Sequence, residues 1–256
     1  MDKRIKIVAI CGSPHRGNTY NILKMLEQSN PEIDFKILML TELDLQDCSG
    51  CYSCINNGED TCPHKDDRDL IIEAMKDADG TIFASPTYAR TISALMKKFV
   101  ERTSFMAHRP LFFGKYAMAL ATCAGFGADL TAKYLTENFT QYGFKFVPTV
   151  ELMVAPKTED ETHRNRSQAI KVYEKLISSI KAQEKIEPSF NQLVYFNIFK
   201  YISEWNKLKG WADYEFYRDK NDYYYDVKIP FWKNKLVKWI AGKEIKKMKA
   251  NTSSEY

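Results

Sequence analysis

The fold of this chain is decided by the stretch Ile5-Lys6-Ile7-Val8-Ala9-Ile10-Cys11-Gly12-Ser13-Pro14-His15-Arg16-Gly17-Asn18-Thr19. Its uninterrupted apolar run, Ile7 to Cys11, is typical of a strand buried on both faces of a parallel sheet. The run ends at Gly12, and a helix is predicted to begin at Asn18 or Thr19, since both residues are favourable N-caps. The unpaired N–H groups of such a helix attract an anion, so the loop is a predicted phosphate site. The side chains that can add donors or charge there are Ser13, Arg16, Asn18 and Thr19.

The loop lacks the residues that define the common nucleotide-binding loops. Gly12 and Gly17 have the spacing of G-x-x-x-x-G-K-[ST], but Asn18 stands where that loop has its lysine. The dinucleotide fingerprint G-x-G-x-x-G is also missing. Because the loop is rich in hydroxyl and amide groups instead, it suits a single terminal phosphate such as that of FMN.

Residues 12–19, GSPHRGNT, resemble the GSP(R)xGNT loop of flavodoxin-like NAD(P)H-dependent FMN reductases. The resemblance implies FMN as cofactor, a sheet in the order 2-1-3-4-5, and a ligand at the carboxyl ends of the strands. An ordinary strand–turn–helix without a ligand is the alternative for this stretch taken alone.

Two further loops carry the same resemblance. Residues 85–90, SPTYAR, look like the SPTYW segment that lies along the flavin in this family, although Ala89 replaces a bulky aromatic residue. Residues 122–127, TCAGFG, contain two glycines that let the backbone approach a planar ring and offer it N–H groups. The flavin-contacting residues predicted from these loops are Pro86, Thr87, Tyr88, Thr122, Gly125 and Gly127.

Periodicity over the rest of the chain predicts five strands alternating with five helices, which indicates an α/β fold. We expect a flavodoxin-like, doubly wound, five-stranded parallel sheet in residues 1–184 and an aromatic, basic extension in residues 185–256. The predicted strands are 7–11, 34–45, 80–85, 115–122 and 146–154, and the predicted helices begin at 18 or 19 or span 67–78, 91–103, 129–142 and 165–183.

Charge and apolar content exclude several classes of protein. The net charge of +4 comes from the extension, which contains 14 Lys and Arg residues and 9 Asp and Glu residues. This positive charge is too dispersed along the sequence to indicate nucleic-acid binding. No apolar run reaches the roughly 18 residues of a transmembrane helix. Since the N-terminus leads directly into the first strand, we expect no signal peptide and a cytoplasmic protein. Its six cysteines are then expected to be thiols or metal ligands.

Four cysteines form a C-x2-C-x2-C-x7-C motif in residues 48–62, the cysteine loop of the predicted flavin domain. Its members are Cys48, Cys51, Cys54 and Cys62. The spacing, with Pro63 after the last cysteine, resembles ferredoxin runs and the motif of the iron–sulfur flavoproteins, which implies a 4Fe–4S cluster. A zinc site, or thiols that hold no metal, are the alternatives. Cys11 and Cys123 are expected to be buried thiols.

The extension contains all four tryptophans and many tyrosines, so it is expected to pack against another surface. We expect residues 188–249 to pack across a neighbouring subunit of a homodimer or homotetramer. Contact of the basic segment 231–249 with a membrane surface is the alternative.

Together these features predict an FMN-dependent oxidoreductase. It is expected to move electrons from NAD(P)H or a reduced ferredoxin through FMN to a small acceptor, with the cluster as a relay. No side chain is predicted to act as a catalytic acid or base. A flavodoxin-type electron carrier without substrate turnover is the main alternative, and a regulatory nucleotide-binding module is a third.

Overall fold

The computed structural model describes residues 4–155, 158–183, 187–205 and 210–252. The chain divides into two compact units: residues 1–49 and 64–185 form the first, and residues 50–63 and 186–256 form the second. The sequence predicts a boundary between residues 184 and 185 with the whole cysteine loop, residues 48–62, in the first domain, whereas residues 50–63 cluster with the second unit. The helices are α1 Asn18–Ser29, α2 Ser53–Asn56, α3 Arg68–Asp77, α4 Ala94–Arg102, α5 Phe105–His108, α6 Ala128–Gln141, α7 Glu159–Ala182, α8 Phe190–Trp205, α9 Ala212–Tyr217 and α10 Phe231–Thr252.

The first unit is built on a parallel sheet with strand order β2-β1-β3-β4-β5, and a sixth strand, β6, also pairs with β4. This confirms the order implied by the resemblance. A crossover helix follows each central strand, so the carboxyl ends of β1, β3 and β4 lie at one edge of the sheet. The strands are β1 Lys6–Cys11, β2 Asp34–Met39, β3 Gly80–Pro86, β4 Tyr116–Cys123, β5 Lys145–Phe146 and β6 Val150–Met153.

The single fifth strand predicted over 146–154 is wrong, because the edge of the sheet is interrupted. Ala117 of β4 pairs with Phe146, and Leu120 of β4 pairs with Val150. The two pairs are three residues apart in β4 but four residues apart in the edge segment. The edge therefore carries one extra residue next to Pro148, which has no N–H to donate to β4. Two short strands result.

The central strands are buried on both faces, as their apolar composition predicted. All seven residues of β3 and all eight of β4 are buried. Phe83 of β3 stacks on Phe139 of α6 with ring centroids 3.6 Å apart. The apolar periodicity of residues 67–78 predicts that Leu70 of α3 faces inward, but its side chain is exposed and Ile72 is buried instead. The phase of that helix is set by what the sheet surface accepts, which periodicity alone does not show.

The second unit has its own core. Helix α8 packs against α10 and α9. Phe196 contacts the rings of Tyr217, Tyr223 and Tyr224 at centroid distances of 4.9–5.8 Å. The sequence also predicts a short extended segment over residues 223–229, but 223–225 form bends and the described residues of this segment contain no strand. A helix is predicted over residues 191–208, of which residues 206–208 lie outside the described residues. Among the described residues, no helix has the length and apolar character needed to cross a bilayer.

Candidate functional site

The N-terminal end of α1 is an uncapped helix terminus. The helix begins at Asn18 as predicted, but Gly17 rather than Asn18 or Thr19 occupies the N-cap position. In this described segment no side chain caps the helix, and its first turn contains no acidic residue. The positive end of the helix dipole is therefore not neutralised, which favours an anion there.

Gly12 fixes the turn between β1 and this terminus. Its N–H donates to the carbonyl of Ala84 at 2.8 Å, and its carbonyl accepts from the Ser93 hydroxyl at 2.6 Å. A Cβ at Gly12 would lie 2.8 Å from the Met96 Cβ, so any side chain here would displace α4. The sequence did not single out Ser93, whose hydroxyl also caps α4 by accepting from the Met96 N–H.

The other predicted phosphate residues have different surroundings. The Ser13 hydroxyl is buried and donates to the carbonyl of His15 at 2.8 Å. The Arg16 guanidinium forms an exposed ion pair with Glu42 at 2.9 Å. Asn18 is exposed at the helix terminus, whereas Thr19 is buried. The structure therefore leaves Asn18 and the backbone N–H groups best placed for an anion, with the charge of Arg16 partly balanced by Glu42.

Four threonines connect the predicted loops and helix α6 at the carboxyl edge of the sheet. Thr19 and Thr122 share a buried hydroxyl–hydroxyl hydrogen bond of 2.7 Å. The Thr87 N–H donates to the carbonyl of Thr122 at 2.6 Å, and the Thr87 hydroxyl bonds that of Thr131 at 2.9 Å. These bonds hold the phosphate loop and the loops after β3 and β4 in fixed register.

Pro86 ends β3, and Tyr88 and Thr91 close a tight turn after it through two backbone hydrogen bonds. The central residues of the turn, Ala89 and Arg90, both have positive φ, at 48° and 68°. Tyr88 remains 45% exposed, so its ring is available to a ligand.

Phe126 was not predicted as a site residue, yet its ring is 75% exposed between Gly125 and Gly127. The guanidinium of Arg90 lies 5.9 Å from the centre of this ring and so links the loops after β3 and β4. Gly127 has φ of 93°, and a Cβ there would lie 3.3 Å from the Arg90 Cα. The sequence feature that could have identified Phe126 is its position between two glycines. Because glycine has no side chain, the adjacent residues cannot cover the Phe126 ring.

The strained turn gives a stability prediction. Ala89→Val is expected to lower the free energy of unfolding by about 1–2 kcal/mol, because a β-branched residue is strongly disfavoured at positive φ. Ala89→Gly is the matched control, since glycine adopts this backbone without a steric penalty. Urea unfolding of the two variants measures the difference. Equal midpoints would contradict the assigned turn.

The cysteine loop does not gather its thiols into a metal site in the described part of the chain. Cys48 and Cys51 are exposed, Cys54 is partly buried and Cys62 is buried. Across the described ranges, no three Cys, His, Asp or Glu side chains lie close enough to hold a metal ion. The four thiols suit iron or zinc by chemistry, but the described geometry does not fit a bound cluster. Cys11 and Cys123 are buried, as expected, and burial raises the pKa of Cys11 to about 11.

A buried ion pair that the sequence did not reveal holds the chain on either side of the cysteine loop. Arg102 donates to both carboxylate oxygens of Asp66 at 2.8 Å, and their side chains are 2% and 0% exposed. Asp66 also accepts from the Gln46 N–H at 2.8 Å. The Asp67 N–H donates to the carbonyl of Asp44 at 2.8 Å, which pairs the two ends directly. Helix α4 thereby fixes both ends of the segment that carries the four cysteines.

A parallel sheet in this order, with an uncapped helix terminus and exposed aromatic rings at its carboxyl edge, defines a flavodoxin-like protein with an FMN-type site. The chain belongs to the NADPH-dependent FMN reductase family, whose model matches residues 5–159. It is therefore an NAD(P)H-dependent FMN oxidoreductase-like flavoprotein.

Individual relatives agree with this placement. An iron–sulfur flavoprotein of Archaeoglobus fulgidus is 30% identical over 227 residues, which cover 84% of this chain and 99% of the relative. The NAD(P)H:quinone oxidoreductase of Methanothermobacter marburgensis superposes with a TM-score of 0.54 at 15% identity, over 68% of this chain and 98% of that one. RosB was solved with a bound 8-demethyl-8-formylriboflavin-5'-phosphate intermediate. It superposes with a TM-score of 0.53 at 13% identity, over 89% of this chain and 92% of the RosB chain. The two superpositions show a shared fold.

Proposed function

We propose that this protein passes electrons from NAD(P)H, or from a reduced ferredoxin, through FMN to a small acceptor. Bound FMN supplies the hydride and single-electron chemistry. The observation that carries the proposal is the uncapped terminus of α1, which lies at the same sheet edge as the exposed rings of Tyr88 and Phe126. A phosphate and an aromatic ring system are the two groups that these features accept.

The chain's own residues bind and orient the flavin in this proposal. The N–H groups of the first turn of α1 and the exposed Asn18 side chain would hold the phosphate, and Arg16 would add positive charge beside it. The buried hydroxyls of Ser13 and Thr19 bond to the His15 carbonyl and to Thr122, so they would fix the shape of the loop. Pro86, Thr87 and Tyr88 contact the ring and its ribityl chain. The backbone N–H groups around Gly125 and Gly127, which follow Thr122 in the loop after β4, would donate to the ring carbonyls and would favour the negative charge of the reduced flavin. No side chain acts as a general acid or base.

Steady-state turnover tests the proposal against an electron carrier. Purified protein with bound FMN is expected to oxidise NADH or NADPH continuously when a quinone or free flavin is supplied as acceptor. A single reduction of the bound flavin without further turnover would favour a flavodoxin-type carrier. Absence of flavin from the purified protein would instead favour a regulatory module.

We propose a 4Fe–4S cluster on Cys48, Cys51, Cys54 and Cys62 as an electron relay. The proposal is supported by the cysteine spacing and by the name of the Archaeoglobus relative. Since the described thiols are not gathered, binding would require the cysteine loop to rearrange around the metal. Folding of ligands around a metal is common in small metal sites.

Iron analysis tests the cluster. After anaerobic reconstitution the wild-type protein is expected to hold about four iron and four sulfide ions per chain. Cys51→Ser/Cys54→Ser is expected to lose them, whereas Cys123→Ser, which alters a buried thiol outside the motif, is expected to keep them. Equal iron in all three proteins would contradict the proposal, and zinc without sulfide would support a structural zinc site.

A homodimer or homotetramer and a cytoplasmic location remain proposals from the sequence. The exposed ring of Phe126 and the half-exposed ring of Tyr88 support a second copy that covers the outer edge of the flavin. Light scattering of the protein with bound FMN measures the assembly directly.

A further inference from the structure

Helix α10 has two apolar faces, and one of them is already covered within its own unit. Val237, Ala241 and Ile245 are buried, and Ala241 and Ile245 form a core cluster with Ile198 of α8. The spacing of four residues places these side chains on one side of the helix. The rings of Phe196, Tyr217, Tyr223 and Tyr224 likewise pack against one another, whereas Tyr195 and Tyr201 of α8 remain 40% and 47% exposed. The packed ring cluster therefore needs no second protein to cover it, but the other face of α10 is uncovered.

That other face exposes large apolar side chains. Phe231, Trp232 and Trp239 are 84%, 67% and 56% exposed, and Leu236 is 39% exposed. Trp232, Leu236 and Trp239 follow helical spacing, so they share one stripe. We call this stripe, together with Phe231, the outer face of α10. Such a cluster of exposed rings marks an interaction surface.

The charge of α10 indicates what that surface binds. The helix carries seven lysines and a single acidic residue, Glu244. Lys235, Lys243 and Lys246 lie along the outer face by spacing, and the Lys243 ammonium lies 3.8 Å from the centre of the Trp239 ring. Lys238 of α10 pairs with Asp222, which lies before the helix, at 3.0 Å.

We propose that the outer face of α10 binds the surface of an anionic lipid bilayer. Tryptophans lie at the boundary between headgroups and acyl chains, and nearby lysines are attracted to anionic headgroups. A symmetric contact with a second copy fits less well, because it would bring the same lysine-rich helix face against itself. The sequence favoured a neighbouring subunit because it could not show that the tyrosines and the inner face of α10 were covered internally.

Vesicle binding by the full-length protein tests the proposal. The wild type is expected to co-sediment with vesicles rich in phosphatidylglycerol, to bind pure phosphatidylcholine vesicles at least about tenfold more weakly, and to be released by salt. Tryptophan emission should shift to the blue on binding, since Trp232 and Trp239 leave water. Trp232→Ala/Trp239→Ala and Lys243→Glu/Lys246→Glu/Lys247→Glu are each expected to weaken binding by about tenfold or more.

The control Lys133→Glu/Lys171→Glu/Lys175→Glu makes the same change in net charge on exposed residues of α6 and α7. It is expected to bind as the wild type does. Failure of the wild type to bind anionic vesicles, or equal loss in the control, would overturn the proposal. So would an oligomer in solution that the double tryptophan variant dissociates. None of these measurements depends on flavin turnover, so the proposal stands or falls separately from the enzymatic one.

Discussion

Replacing Arg102 with methionine is expected to lower the free energy of unfolding by about 3–5 kcal/mol, because it leaves the carboxylate of Asp66 buried without its cation. Both side chains are almost fully buried, and the guanidinium bonds both carboxylate oxygens at 2.8 Å. Methionine fills much of the same volume, so the loss reports on charge rather than on a cavity. Denaturant unfolding measures it.

Two further variants show whether the stability lost in Arg102→Met comes from the unpaired buried charge. Asp66→Asn/Arg102→Met is expected to recover most of the stability, since the amide oxygen still accepts from the Gln46 N–H and no buried charge remains. Arg16→Met removes an arginine from the exposed pair with Glu42, whose side chains are 63% and 50% exposed, and is expected to cost at most about 1 kcal/mol. Equal losses for Arg102→Met and Arg16→Met would contradict the assigned burial.

The ion pair of Asp66 and Arg102 also makes the free energy of unfolding depend on pH. Burial opposes ionisation of Asp66, but hydrogen bonds from the Gln46 N–H, the Arg102 guanidinium and the Arg68 N–H outweigh it and lower the pKa of Asp66 below its ordinary 3.8. A lowered folded-state pKa contributes stability above the unfolded-state pKa, and this is lost as pH falls through the folded-state pKa. In Arg102→Met the unpaired carboxyl protonates more easily. The stability gap between the two proteins should therefore narrow below about pH 4, which unfolding curves at several pH values will show.

The second large effect is expected at the phosphate site. Asn18→Asp should weaken FMN binding at least about 100-fold, since it places a carboxylate beside the phosphate at the terminus of α1. The same substitution should stabilise the protein without flavin by about 0.3–1 kcal/mol, because an acidic residue in the first turn complements the helix dipole. These opposite signs separate a role in binding from damage to the fold.

Flavin fluorescence titration and thermal unfolding measure the two effects. Asn21→Asp adds the same charge one turn further along α1 and should weaken FMN binding much less. Tight FMN binding by Asn18→Asp would place the phosphate elsewhere. Asn18→Ala/Thr19→Ala is expected to weaken binding as well, but it also removes the buried bond between Thr19 and Thr122.

Several errors in the sequence-based prediction have a common cause. The single fifth strand failed because Pro148 and the register against β4 interrupt the edge, and Leu70 was turned outward by the packing of α3. Both depend on which surface lies opposite a residue. Local apolar pattern carries no information about that surface.

The sequence by itself determined the parallel sheet, the order of its elements and the loop between β1 and α1, because runs of apolar residues, glycines and helix starts act over a few neighbouring residues. Only the tertiary structure decided which side chains meet. Thr19 meets Thr122 across 103 residues, Asp66 meets Arg102 across 36, and Arg90 meets Phe126 from another loop. It also decided that Phe196 packs among Tyr217, Tyr223 and Tyr224, whereas Trp232 and Trp239 of α10 remain exposed. Such pairings depend on how distant segments pack, and each buried bond or ring contact is selected by the whole fold rather than by its neighbours in sequence.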